Sequence, residues 1–156
     1  MPSFISEIPL PPPREEWLFL QELRQPEKQY LQWDRANNEI PAGHLDLRQG
    51  ITLQCDFSDP EALLETAFED FKKLLCLAEL PKNGPVVCRF TEAKTGGQES
   101  YRLQINEEGI TLQAGDTEGM RRGIYFLEEQ LTGASIVALP FTDLRREPWL
   151  RNRISR

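Results

Sequence analysis

"YRLQINEEGITLQAGDTEGMRRGIYFLEEQL" (residues 101–131) carries the clearest structural pattern in the chain. Tyr101, Leu103 and Ile105 alternate with polar residues, as a strand with one buried face does. "NEEG" (106–109) has turn composition, and Ile110, Leu112 and Ala114 resume the alternation, so residues 99–114 are predicted to form a β-hairpin. Asp116 or Thr117 then stands at a helix N-cap. Met120, Ile124, Leu127 and Leu131 recur on one helical face, and Gly133 is placed to end the helix. Gly115, Gly119 and Gly123 cluster near that start, in the strand–helix context that phosphate sites use. Their spacing matches no dinucleotide fingerprint, however, and Gly119 with Gly123 at i, i+4 reads as close approach of helix to sheet.

Outward from this stretch the pattern continues. "HLDLRQGITLQCDF" (44–57) alternates at Leu45, Leu47, Ile51, Leu53 and Cys55, with Gly50 where a turn or bulge is natural. "SDPEALLETAFEDFKKLLCLAEL" (58–80) is a second predicted helix. Ser58 and Glu61 have capping-box spacing, and Pro60 falls in the first turn. Leu63, Leu64, Ala67, Phe68, Phe71, Leu74, Leu75 and Ala78 form its apolar stripe, and Pro81 and Gly84 end it. "PVVCRFTEA" (85–93) and "SIVALP" (135–140) are short strands. The order is strand, helix, strand, hairpin, helix, strand. A two-layer α+β sandwich buries both helical stripes, with two helices on one face of a mixed sheet, since the crossovers allow parallel pairs and the hairpin is antiparallel.

Residues 44–140 form this α/β unit. Residues 1–43, with Pro9, Pro11, Pro12 and Pro13, read as an extended N-terminal arm. Residues 141–156 read as a linker, with five arginines and Trp149 among the last 13 residues.

The whole chain has 156 residues, enough for one domain with a core. Its formal charge of −7 disfavours nucleic acid and anionic membranes as partners. Neither a membrane span nor an export signal is visible, so a cytoplasmic location or a trimmed leader is expected. Cys55, Cys76 and Cys88 sit in apolar patterns and are expected to be reduced and buried. With no C-x-x-C pair and a single histidine, His44, no metal or cofactor is expected.

Catalytic candidates are few. Glycoside hydrolysis needs two carboxylates facing each other across a cleft. The adjacent pairs Glu15–Glu16, Glu69–Asp70, Glu107–Glu108 and Glu128–Glu129 fall instead in turns, on solvated helix faces or in the polar arm, and neighbours in sequence point apart. His44 has no nominated orienting partner. Trp17, Trp33 and Trp149 could stack on a sugar or anchor the arm. No residue of this chain is nominated as catalytic.

Residues 99–131 resemble the N-terminal accessory domain of family 20 glycoside hydrolases, the β-N-acetylhexosaminidases, a domain also found in α-glucuronidase-type enzymes. A phrase of the form E-x-Y-x-L-x-I, turn, I-x-I-x-A, then G-x-x-x-G followed by spaced leucines, is met by Glu99, Tyr101, Leu103, Ile105, Ile110, Leu112, Ala114, Gly119, Gly123, Leu127 and Leu131. The resemblance implies a non-catalytic scaffold that supports a downstream TIM barrel, with the catalytic carboxylates and the carbohydrate substrate belonging to that barrel. Asp143, Pro148, Trp149 and Arg151 resemble the segment leading into the barrel, and the resemblance makes Arg151 a substrate contact; Asn152 stands where that family has glycine. A free-standing carbohydrate-binding module and a protein-interaction domain are the alternative readings.

Overall fold

The computed structural model describes residues 31, 33–36 and 39–149. Among the described residues nine elements follow in chain order: β1 (His44–Asp46), β2 (Ile51–Asp56), α1 (Glu65–Leu77), β3 (Val86–Glu92), β4 (Tyr101–Asn106), β5 (Gly109–Ala114), α2 (Thr117–Gly133), β6 (Ala138–Pro140) and β7 (Thr142–Arg146). Five strands form one sheet in the order β2-β3-β5-β4-β7, and β1 pairs with β6 in a second, two-stranded sheet. The large sheet is mixed. β2, β3 and β5 run parallel, while β4 is antiparallel to both β5 and β7.

Every other residue of the central strands faces the helices. Cys88, Phe90, Leu103, Ile110 and Leu112 are fully buried there. Phe68 and Phe71 of α1 meet Phe90 edge-on, with ring centroids 5.0 and 6.0 Å apart. Met120, Ile124, Leu127 and Leu131 of α2 close the core over β4 and β5. Both helices lie on one face of a mixed sheet, as the periodicity requires.

The hairpin and α2 take the predicted form. Asn106 Oδ1 accepts the Glu108 N–H at 2.9 Å, and Gly109 turns the chain at φ 134°. Asp116 is the N-cap of α2, its Oδ1 accepting the Gly119 N–H at 2.7 Å and its Oδ2 the Glu99 N–H at 2.8 Å. One carboxylate thereby joins the helix start to Glu99, two residues before β4.

Three expectations need correction. Helix α1 starts at Glu65, several residues after Ser58, and the Ser58–Glu61 capping box is not what begins it. Asp59 accepts the N–H groups of Leu63 and Leu64 at 3.0 and 2.8 Å, while Ala62 takes a left-handed φ of 54°. That turn places Leu63 outside the buried stripe, 47% exposed. Next, the stretch read as a linker begins with β7, which pairs along β4 through Leu144 opposite Leu103. Finally, only Cys88 is buried; Cys55 and Cys76 are exposed free thiols. Cys55 lies near the end of edge strand β2, and Cys76 lies off the stripe of α1. Burial pushes the Cys88 thiol pKa far up, so it is inert.

Helix α1 ends in a Schellman turn, with the Leu80 N–H on the Leu75 carbonyl at 3.2 Å and the Glu79 N–H on the Cys76 carbonyl at 3.0 Å. Glu79 holds φ 51°, where glycine is the usual occupant. Glu79→Gly is expected to stabilise the chain by about 0.5 kcal/mol, read as a raised urea midpoint. The pair it gives up, Arg35–Glu79 at 3.4 Å, is largely exposed and contributes little.

Candidate functional site

Each surface of this domain can be tested for chemistry. The sheet face away from the helices is polar, and several of its charged side chains pair with one another. Asp143 Oδ1 and Oδ2 accept from Arg102 Nε and Nη2 at 2.9 and 2.7 Å, and Gln54 Oε1 accepts from Arg89 Nε at 3.4 Å. The guanidinium of Arg102 holds the Asp143 carboxyl below its ordinary range, an ion pair on an open surface. Among the described residues no group of three or more His, Cys, Asp or Glu could hold a metal ion. No helix among them is long and apolar enough to cross a membrane.

The residues considered from sequence are spread apart. His44 Nδ1 lies 3.4 Å from the Ala42 carbonyl, a backbone neighbour on the surface. Trp33 donates its indole N–H to the Leu131 carbonyl at 2.9 Å and packs against the core, so it anchors the segment before β1 to the end of α2. Arg35 donates to the Ala78 carbonyl, satisfying the end of α1 in the same way. Trp149 is 94% exposed beside a cavity of about 320 Å³ bounded by Glu99, Tyr101, Arg122 and Arg146. The cations there are engaged: Arg122 pairs with Glu99 at 2.8 Å, and Arg146 lies 4.1 Å over the Phe126 ring. Trp17, Glu15, Glu16 and Arg151 lie outside the described residues.

The outward side of the helix layer is different. Asp70 and Leu77, seven residues apart, fall along one flank of α1, and Leu63 lies in the turn just before the helix. Arg121, Tyr125 and Glu128 recur at i, i+4, i+7 along one flank of α2. The two flanks meet. Arg121 donates to the Leu63 carbonyl at 2.7 Å, and Asp70 acts electrostatically on Glu128. The result is a seam between the helices that opens to solvent. Leu63, Leu77 and Tyr125 stand in it 47, 49 and 43% exposed. Of the five large hydrophobic side chains exposed among the described residues, these three share the seam; Phe141 and Trp149 lie elsewhere.

Glu128 lies at the centre of the seam. Its Oε1 is buried and has no hydrogen-bond partner. Burial first, and the neighbouring Asp70 carboxylate second, push its pKa up to about 7. Sequence reading placed Glu128 and Asp70 on solvated helix faces. The packing of α1 against α2 brings one member of each adjacent pair together instead. Two carboxylates on an open surface do not face each other across a cleft of the kind glycoside hydrolysis uses. The arrangement can bind another surface.

No curated protein matches the chain. Among solved structures, a GH138 enzyme targeting pectin rhamnogalacturonan II superposes with a TM-score of 0.52 at 16% identity, over 63% of this chain and 12% of that one. A GH20 exo-β-N-acetylglucosaminidase from Vibrio harveyi gives 0.48 at 17% identity, over 80% and 20%. A family GH115 4-O-methyl-α-glucuronidase gives 0.48 at 14%, over 66% and 18%. The chain thus spans between about an eighth and a fifth of the length of these proteins. The first likeness shows a shared fold. The model of glycosyl hydrolase family 20, domain 2, matches residues 36–143, and the chain belongs to that family of glycoside hydrolase accessory domains.

Proposed function

We propose that this chain is the non-catalytic scaffold of a glycoside hydrolase and packs its helical layer against a downstream TIM barrel that cleaves glycosidic bonds. The observation that carries the reading is the seam. It leaves three large apolar side chains of the helical layer 43–49% exposed, while the opposite sheet face is polar and carries the Arg102–Asp143 ion pair. A surface of that kind gains by being covered. The accessory domain then runs through β7, and the residues after it are the approach to the barrel, with Arg151 carried toward the sugar. The sugar and the catalytic carboxylates belong to that barrel, as the resemblance of residues 99–131 implies.

Two measurements test this. Residues 1–156 alone are expected to give no turnover of aryl N-acetylglucosaminide or aryl glucuronide; activity that co-purifies with the chain overturns the scaffold reading. Leu77→Asp with Tyr125→Asp is expected to change the stability of the isolated chain by no more than about 0.5 kcal/mol, as substitutions at exposed positions do. In the full-length protein the same pair should lower Tm by several degrees. Equal, small effects in both settings would remove the seam as the interface.

A further inference from the structure

The seam constrains its partner's chemistry further. A buried carboxylate oxygen with no donor is uncommon, because removing it from water costs free energy that a hydrogen bond or a cation normally offsets. Every described charge near Glu128 leaves it unmatched. From α1 it faces Asp70, which has the same sign, and the ammonium of Lys73 reaches only Asp70, at 3.4 Å. On α2, Arg121 is committed to Glu118 and to the Leu63 carbonyl. Arg122 is committed to Glu99 at 2.8 Å and to Glu118 at 3.5 Å. Two acids therefore share a partly buried site on a helical layer that also leaves Leu63, Leu77 and Tyr125 partly exposed.

We propose that the surface covering the seam inserts one lysine or arginine side chain between α1 and α2, where it pairs with Glu128 and Asp70 as the polar anchor of an otherwise apolar contact. This rests on the scaffold reading, since it names the chemistry of that partner's contact. Charge complementarity selects the occupant. A second copy of the chain would bring its own acids to the seam, and like charges brought together oppose binding.

Glu128→Gln separates the possibilities, because its effect should change sign between contexts. In residues 1–156 at pH 8 the substitution removes an unmatched charge, and the urea midpoint should rise. In the full-length protein it leaves the partner's cation buried beside a neutral amide, and the transition of the helical layer should move to lower urea. Asp70→Asn should follow the same direction in each setting, with a smaller shift. A midpoint that rises in both settings overturns the cationic anchor. If Leu77→Asp still disrupts the full-length protein in that case, the seam remains the interface and only the anchor is lost. If Leu77→Asp is also neutral there, the scaffold contact fails as well. Sedimentation of residues 1–156 covers the remaining occupant: a dimer dispersed by Leu77→Asp would assign the seam to a second copy and overturn the proposal.

Discussion

Gly119→Ala is expected to destabilise the chain by about 2–4 kcal/mol and to lower its Tm by roughly 10 °C. A Cβ at Gly119 would lie far inside van der Waals contact of the Ser100 carbonyl oxygen, with the Ser100 and Glu99 carbonyl carbons 3.1 and 3.2 Å away. Whether a clash is severe depends on whether the neighbour can move, and here it is held from several sides. The Ser100 carbonyl accepts the Thr95 hydroxyl at 3.0 Å, and the Ser100 hydroxyl donates to the Gly97 carbonyl at 2.7 Å. The Glu99 N–H is tied to Asp116, the cap of the same helix, and Glu99 itself holds φ 60°. Moving α2 outward to relieve the contact would open the core under Met120 and Ile124, both fully buried.

Two other glycines of α2 calibrate this expectation. A Cβ at Gly123 would meet the Leu112 Cδ1 at 2.5 Å, a methyl able to rotate within a packed core, so Gly123→Ala should cost less than Gly119→Ala. At Gly133 nothing lies within 4 Å, and Gly133→Ala should be neutral or stabilising by up to about 1 kcal/mol through helix propensity. Urea titrations of the three variants should rank Gly119 below Gly123 below Gly133. If Gly119→Ala behaves like Gly133→Ala, the close approach of α2 to β4 is wrong.

This ranking also shows which parts of the fold were legible. The hairpin, the Asp116 cap and the glycine pair lie within 35 residues, so local pattern and tertiary contact coincide. The start of α1 was not legible, because Asp59 outcompetes Ser58 only once Ala62 adopts a left-handed turn, and alanine gives no hint of that. Strand β7 presents a single aliphatic residue, Leu144, among charged neighbours, too short an alternation to separate from a linker. Its pairing along β4 supplies what its sequence lacks. The seam was hidden for a different reason. Asp70 and Leu77 show their spacing plainly, but only the packing of α1 on α2 reveals that this flank faces another helix and leaves its outer edge in solvent. Asp70 and Glu128 are 58 residues apart, and no periodicity links them.

That hidden pair gives the isolated chain a pH dependence opposite to that of most carboxylates. The Glu128 pKa rises from 4.5 to about 7 on folding, with burial the larger cause and Asp70 the smaller. The folded state therefore holds this proton more tightly than the unfolded chain, and stability falls as pH rises between those two values. A shift of that size corresponds to at most about 3 kcal/mol, and because Glu128 keeps substantial contact with solvent, about 1–2 kcal/mol is the expected change. Urea unfolding of residues 1–156 at intervals from pH 4.5 to 8.5 should show this decline levelling off above about pH 7.5. Glu128→Gln should remove most of it, holding the high-pH stability about 1–2 kcal/mol above that of the parent chain. Ordinary acids such as Asp143, held low by Arg102, cannot imitate the effect, because they lose stability as the pH falls. If the two chains show parallel profiles, Glu128 is solvated and hydrogen-bonded like any surface glutamate, and the seam has no unmatched charge to offer a partner. If they diverge progressively between about pH 4.5 and 7, the pair is present as drawn, and a cation supplied by a docked barrel would keep Glu128 ionised and erase the divergence.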